Sequence, residues 1–210
     1  MQEIKTFTDY KLSLKDRILD TAMKAFAEQG VKAVKMDDIA ASLGISKRTL
    51  YEIYDTKEQV IFEGLRRYHR MKSERVMAFA QDSNHDVLDM VIFLYQTHIK
   101  ETGNLKPAFY DELGRYPLIE DYLKQQRQKN LNDFKDFLQR GVDEGFFREE
   151  IDYDIVLHIF EALSDYLRST RLIEKYTFEQ IFFNMLFVTL RGFCTSMGIE
   201  KLDRFFAENR

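Results

Sequence analysis

The chain has 210 residues, a formal net charge of −4, a single cysteine and 14% aromatic side chains without tryptophan. Charged residues break every hydrophobic stretch short of membrane-spanning length, one cysteine excludes an intramolecular disulfide, and the acidic balance argues against a protein that coats nucleic acid regardless of sequence. Two prolines and nine glycines leave room for long helices, so an all-α fold with one small and one larger domain is expected.

The opening MQEIKTFTDYKLSL lacks the apolar centre of a signal peptide, and a cytoplasmic location is expected. The first amphipathic helix places Leu14, Ile18, Ala22, Ala25 and Phe26 on one face, with Lys15, Arg17 and Lys24 on its wet side. Gly30 ends it, and Val31 and Val34 return the chain to the same core. A second, short helix follows from Met36, with Ile39, Ala40 and Leu43 on its apolar face and Asp37 and Asp38 in its first turn, where negative charge suits the helix dipole. Gly44 closes that helix and Ser46 is placed to cap the next, Lys47 to Tyr54, whose N-terminal end carries several donors. A short helix, a tight turn and a donor-rich helix on an apolar three-helix centre make a helix-turn-helix, whose second helix enters the DNA major groove.

Residues 18–60, ILDTAMKAFAEQGVKAVKMDDIAASLGISKRTLYEIYDTKEQV, follow almost all of the pattern A-x-x-L-F-x-x-x-G, D-I-A, G-[VI]-S, and T-L-Y followed by an aromatic residue and K-E, with Ala25 in place of the leucine. This run resembles the N-terminal domain of the TetR family of bacterial regulators. A second family-like segment, R-G-x-x-E-G-x-F, falls at Arg140, Gly141, Glu144, Gly145 and Phe147. The resemblance implies a helix-turn-helix DNA-binding domain over residues 1–57 and a helical effector-binding and dimerisation domain over 58–210. It also implies a ligand-responsive regulator, more often a repressor, that binds a pseudo-palindromic operator as a homodimer. The rival reading is a helical small-molecule-binding or enzymatic protein with a vestigial helix-turn-helix.

Residues 1–57 hold ten Lys and Arg against nine Asp and Glu, a net of +1, and the remainder carries −5. Positive charge must therefore act locally, through Lys35, Lys47, Arg48 and Lys57, with docking geometry supplying the rest. Arg48 is the candidate guanine reader beside Lys47. The resemblance gives Thr49 and Tyr51 phosphate or sugar contacts. Lys57, heading the next helix, could clamp a phosphate. Glu52 would repel phosphate unless it accepts from a cytosine. Lys35 stands where a Ser or Thr cap is usual, Leu50 is the buried residue, and Tyr54 is read as packing.

Beyond Lys57 the pattern predicts helices over Glu58–Phe79, Val87–Ile99, Leu105–Leu113, Leu118–Gly141, Tyr153–Glu174 and Phe178–Met197, the last ended by Gly198. The second of these is apolar over much of its circumference and is expected in the middle of its domain. Ile155, Ile159, Leu163 and Tyr166 on one helix, with Phe182, Phe183, Leu186, Leu190 and Phe193 on another, are the candidate dimer stripes; part of each must face the subunit's own core. Phe93, His98, Phe109, Tyr110, Tyr122, Phe134 and Phe160 are candidates to line a pocket for an apolar or aromatic effector, although any one of them suits a plain core. Asp111 and Glu112 could select a cation there. His69, His85, His98 and His158 are scattered, and the His158–Glu161 pair has no second pair to complete a metal site. Cys194 is read as a buried, inert thiol. No phosphate loop, nucleophile elbow or H-E-x-x-H motif occurs, so neither catalysis, a metal nor a cofactor is expected.

Overall fold

The computed structural model describes residues 2–102, 109 and 112–208. Its helices are α1 (Gln2–Gln29), α2 (Met36–Leu43), α3 (Lys47–Tyr51), α4 (Lys57–Gln81), α5 (Val87–Thr102), α6 (Pro117–Asp143), α7 (Tyr153–Ser169) and a short α8 (Leu172–Lys175). Next, α9 passes through α-helical Phe178–Ile181, a π-helical turn over Phe182–Phe187 and α-helical Val188–Phe193, and α10 (Ser196–Glu208) follows. Among the described residues there is no strand, only an isolated antiparallel bridge between Phe147 and Cys194. The fold is all-α, as the sequence predicts.

The chain divides into two compact units: residues 1–73 with 104–124, and residues 74–103 with 125–210. The first unit is organised around Leu14, Ile18, Ala22 and Phe26 of α1, Ile39 and Ala40 of α2, and Leu50 of α3, all at most 1% exposed. This is the apolar face expected from the spacing of α1. The unit extends well past residue 57. Val60, Ile61 and Leu65 of α4, together with Phe109, Leu113 and Ile119, fill the rest of the same core, because so small a unit as α1–α3 alone buries too little apolar surface. α1 and α4 approach closely enough that a Cβ on Gly64 would lie 2.4 Å from the Met23 sulfur.

The second unit packs an aromatic core around Phe147, Phe182, Phe193 and Phe206, with Val87, Leu88, Leu138 and Leu202. The family-like segment at its centre is structural. Arg140 donates from Nε to Glu144 (2.5 Å) and from its Nη groups to the carbonyls of Ala80 (3.3 Å) and His85 (2.6 Å). Glu144 in turn accepts the Val87 N–H (2.7 Å), satisfying a donor at the start of α5. α5 is less enclosed than its composition suggests: Val87 and Leu88 are fully buried, but Leu94 is exposed.

Three expected helices end differently, the one expected over residues 47–54 already at Tyr51. Tyr153–Glu174 is interrupted after Ser169, where the Thr170 hydroxyl takes the Tyr166 carbonyl (2.6 Å) and Arg171 adopts φ 50° before α8 begins. The helix expected to run to Met197 stops at Phe193. Cys194 is extended (φ −73°, ψ 149°), because the Phe193 carbonyl accepts from Arg148 N and Thr195 N donates to the Phe146 carbonyl (3.0 and 2.9 Å). Thr195 then caps a further helix, its hydroxyl accepting from Gly198 N (3.3 Å). Gly198, expected to end a helix, lies inside α10, where a Cβ would come within 2.6 Å of the Phe146 carbonyl oxygen.

Candidate nucleic-acid interface

Local chemistry fixes α3 at both ends. Gly44 takes the left-handed conformation (φ 66°, ψ 29°), and its N–H and that of Ile45 close α2 onto Ala41 and Ala40 (3.1 Å each). The Ser46 Oγ accepts the Thr49 N–H at 3.0 Å and meets the Thr49 hydroxyl at 2.8 Å, so Thr49 serves the cap and is half-buried. Leu50, wholly buried, anchors the helix, and every other α3 side chain points outward to some degree. Tyr54 is 5% exposed and burial pushes its phenol up to about 12, as suits a packing residue.

The outward face carries the candidate readers, each with a partner of opposite sign. Lys47 Nζ reaches the Asp37 carboxylate on α2 at 2.5 Å, and that hydrogen bond raises the lysine pKa. Arg48 Nε donates to Glu52 at 2.9 Å, an i,i+4 pair whose hydrogen bond raises the arginine pKa. The Tyr51 ring is exposed beside them. Lys35 caps α2 without a side-chain bond; its backbone N–H instead donates to Asp38 Oδ2 at 2.9 Å, and its side chain stays in solvent.

Lys57, expected from its place at the head of α4 to clamp a phosphate, is engaged within the chain. Its ammonium donates to the carbonyls of Val31 and Val34 in the loop before α2, and stands 5.6 Å from the centre of the Phe26 ring. Burial lowers its pKa. Glu112 reinforces the same loop by accepting the Lys32 N–H at 2.7 Å. The sequence carries no signal for that bond, which spans eighty positions; Glu112 is thus engaged with backbone, and Asp111 lies outside the described residues.

The described aromatic pocket candidates are divided between the two units. Phe109 is buried in the first unit's core, and Tyr122 packs against the same core with its hydroxyl 2.9 Å from His69 Nδ1. In the second unit Phe93 stacks on Phe79, His98 lies against Phe178, and Phe134 meets Phe160 edge-on at 4.8 Å. Tyr110 lies outside the described residues. An open cleft of about 390 Å³ in the second unit is lined instead by Ile92, Phe146, Met197, Lys201, Arg204 and Phe205. Of the dimer candidates, Leu190 and Phe193 are buried in the chain's own core, and Leu163, Phe183 and Leu186 are half-buried. Ile159 and Tyr166 remain exposed and continue into Ile155 on α7, with Val188 exposed on α9. Among the described residues no group of three potential metal ligands forms, and no helix is long and apolar enough to cross a membrane.

Residues 18–63, which include the capped α3 and its outward donors, match the model of the bacterial regulatory proteins of the tetR family. That match, over the helix-turn-helix segment, supports a TetR-family regulator. The chain is also similar to the HTH-type transcriptional repressor KstR2 of Mycobacterium tuberculosis, 29% identical over 153 residues, covering 69% of this chain and 74% of that protein. The solved structure of ketosteroid transcriptional regulator KstR2 of Mycobacterium tuberculosis superposes with a TM-score of 0.54 at 27% identity, over 87% of this chain and 95% of that one. A TetR-family transcriptional regulator from Marinobacter aquaeolei VT8 has a TM-score of 0.73 over 93% of this chain and 98% of its own. At 16% identity that likeness concerns the fold alone.

Proposed function

We propose that this protein is a ligand-responsive transcriptional repressor that binds a pseudo-palindromic operator as a homodimer. Residues 1–57 supply the DNA-binding segment, and 58–210 the effector-binding and dimerisation part. The observation that carries this is α3: a helix capped at Ser46, pinned by Leu50 and presenting Lys47, Arg48 and Tyr51 outward. Such a helix offers base-reading donors at a fixed angle, which a loop or a buried helix could not. Pairing of two chains through the exposed stripe Ile155, Ile159 and Tyr166 on α7 with Val188 on α9 would set two recognition helices on successive major-groove faces. A protein with this partner works in the cytoplasm.

The effector is proposed to be a small apolar or aromatic molecule held in the second unit. Support comes from the half-buried phenyl rings Phe93, Phe134 and Phe160 there and from the description of the relative KstR2 as a ketosteroid regulator. A ligand switches such a protein only by unequal affinity for its DNA-competent and DNA-incompetent states, and a near-complete switch needs about 5 kcal/mol of difference.

Selection of genomic fragments with purified protein, followed by shift assays at two salt concentrations, tests the reading. A palindromic site near a transcription start, bound by two chains with moderate salt dependence, is the expected result. Absence of any enriched fragment, with and without a panel of apolar ligands, would overturn it.

A further inference from the structure

Both cations of α3 are countered by carboxylates in the folded chain, an arrangement that a protein relying on general attraction to phosphate would avoid. Lys47 lies against Asp37, and Arg48 against Glu52 one turn further along the same helix. The second pair is the more specific in geometry. Arg48 uses Nε, at 2.9 Å, to reach Glu52 Oε1. Both of its Nη groups are left without a partner among the described residues, and its side chain is 89% exposed. A guanidinium is planar, so fixing Nε fixes the plane in which the remaining fork points. The free Nη edge is the one that meets guanine O6 and N7 end-on.

We infer that Glu52 is a positioning residue for base readout, holding Arg48 so that its Nη fork reads one guanine in each half-site while its own charge weakens attachment to non-cognate DNA. This rests on the DNA-binding reading above. The carboxylate acts twice. Its acceptor oxygen orients the arginine before DNA arrives, which reduces the ordering cost of the contact. Its negative charge cancels that of Arg48 for any phosphate nearby, so binding at sites lacking the guanine gains little from the arginine. Glu52 itself touches no base in this scheme.

Selection from randomised duplexes, with competition against random DNA, separates these roles in wild type, E52A, E52Q, R48A and R48A/E52A, each first checked for an unchanged melting temperature. E52A is expected to lose guanine preference at one half-site position by roughly tenfold, within the range one bidentate base contact supplies. E52Q retains an acceptor for Nε and is expected to keep most of that preference. Both variants should hold random DNA more tightly, by roughly twofold to fivefold, on the scale of one exposed charge pair. In the R48A background, E52A should change base preference no further. The inference is overturned if E52A selects the wild-type site with undiminished preference, or if E52A alters a position that R48A leaves intact. If wild type itself enriches no site, the DNA-binding reading fails, and this inference fails with it.

Discussion

The α3 helix and the aromatic core of the second unit are built from opposite kinds of information. Apart from its one buried leucine, α3 is held by contacts within about ten residues: the αL turn at Gly44, the Ser46 cap, and salt bridges to Asp37 and Glu52. In the second unit, Phe147 packs on Phe193 and Phe137, while Phe182, Phe183 and Phe187 all meet Phe206. Those ring contacts span up to 46 positions of chain, from Phe147 to Phe193. A short-range device announces itself in sequence, because each residue type has one local use there. A phenylalanine at helical spacing serves equally as core, pocket wall or interface, and only its neighbours decide which.

The sharpest break of this contrast is at Leu50. Leu50→Ala leaves the cap and every outward donor in place but opens a cavity under α3. It is expected to cost about 2–5 kcal/mol of stability, with DNA binding lost in proportion to unfolding. Denaturant melts compared with binding at low temperature check this. In the other region, Gly141→Ala places a Cβ 2.0 Å from a ring atom of Phe147. The aromatic core must shift, at about 1–3 kcal/mol, with two-unit melting resolved by hydrogen exchange: protection should fall in residues 125–208 and hold in α1–α3.

Lys57 joins the two kinds of information, because its partners are 26 and 23 positions away. Lys57→Met removes the donor but keeps much of the stem. It leaves the Val31 and Val34 carbonyls to water and is expected to cost about 1–3 kcal/mol. Exchange of amides around residues 30–36 should quicken more than that of α3 itself.

A smaller effect concerns His69. Burial lowers its pKa below the ordinary 6.5, and its Nδ1 is paired with the Tyr122 hydroxyl. The unfolded chain therefore binds this proton more readily than the folded one. Its contribution to stability is complete above pH 6.5 and falls away as pH drops below that value through the lowered folded pKa. Melting between pH 8 and pH 5 should show this loss, and His69→Gln should flatten it. The smallest expectation is chemical. The Cys194 thiol is fully buried and pushed up to about 12, so a thiol reagent at neutral pH should leave the folded protein unmodified and label it on unfolding.

Sequence by itself determined the all-α class, the helix-turn-helix with its cap, turn and buried leucine, and the residues that α3 shows to solvent. Each of these follows from hydrogen bonds and periodicity within a few turns of chain. The α10 helix was also written there, in Thr195 as a cap and in Ile199, Leu202 and Phe206 at helical spacing; Gly198 concealed it, because a glycine in sequence reads as a stop. Only the tertiary structure decided that this glycine serves a close approach to the Phe146 carbonyl, that Lys57 and Glu112 hold the loop before α2, and that Leu190 and Phe193 face inward while Ile155 and Val188 remain exposed. The physical reason is the same in each case. Which polar group finds a backbone partner, and which apolar face finds a neighbour, depends on segments far apart in the chain, and periodicity records only that a face exists.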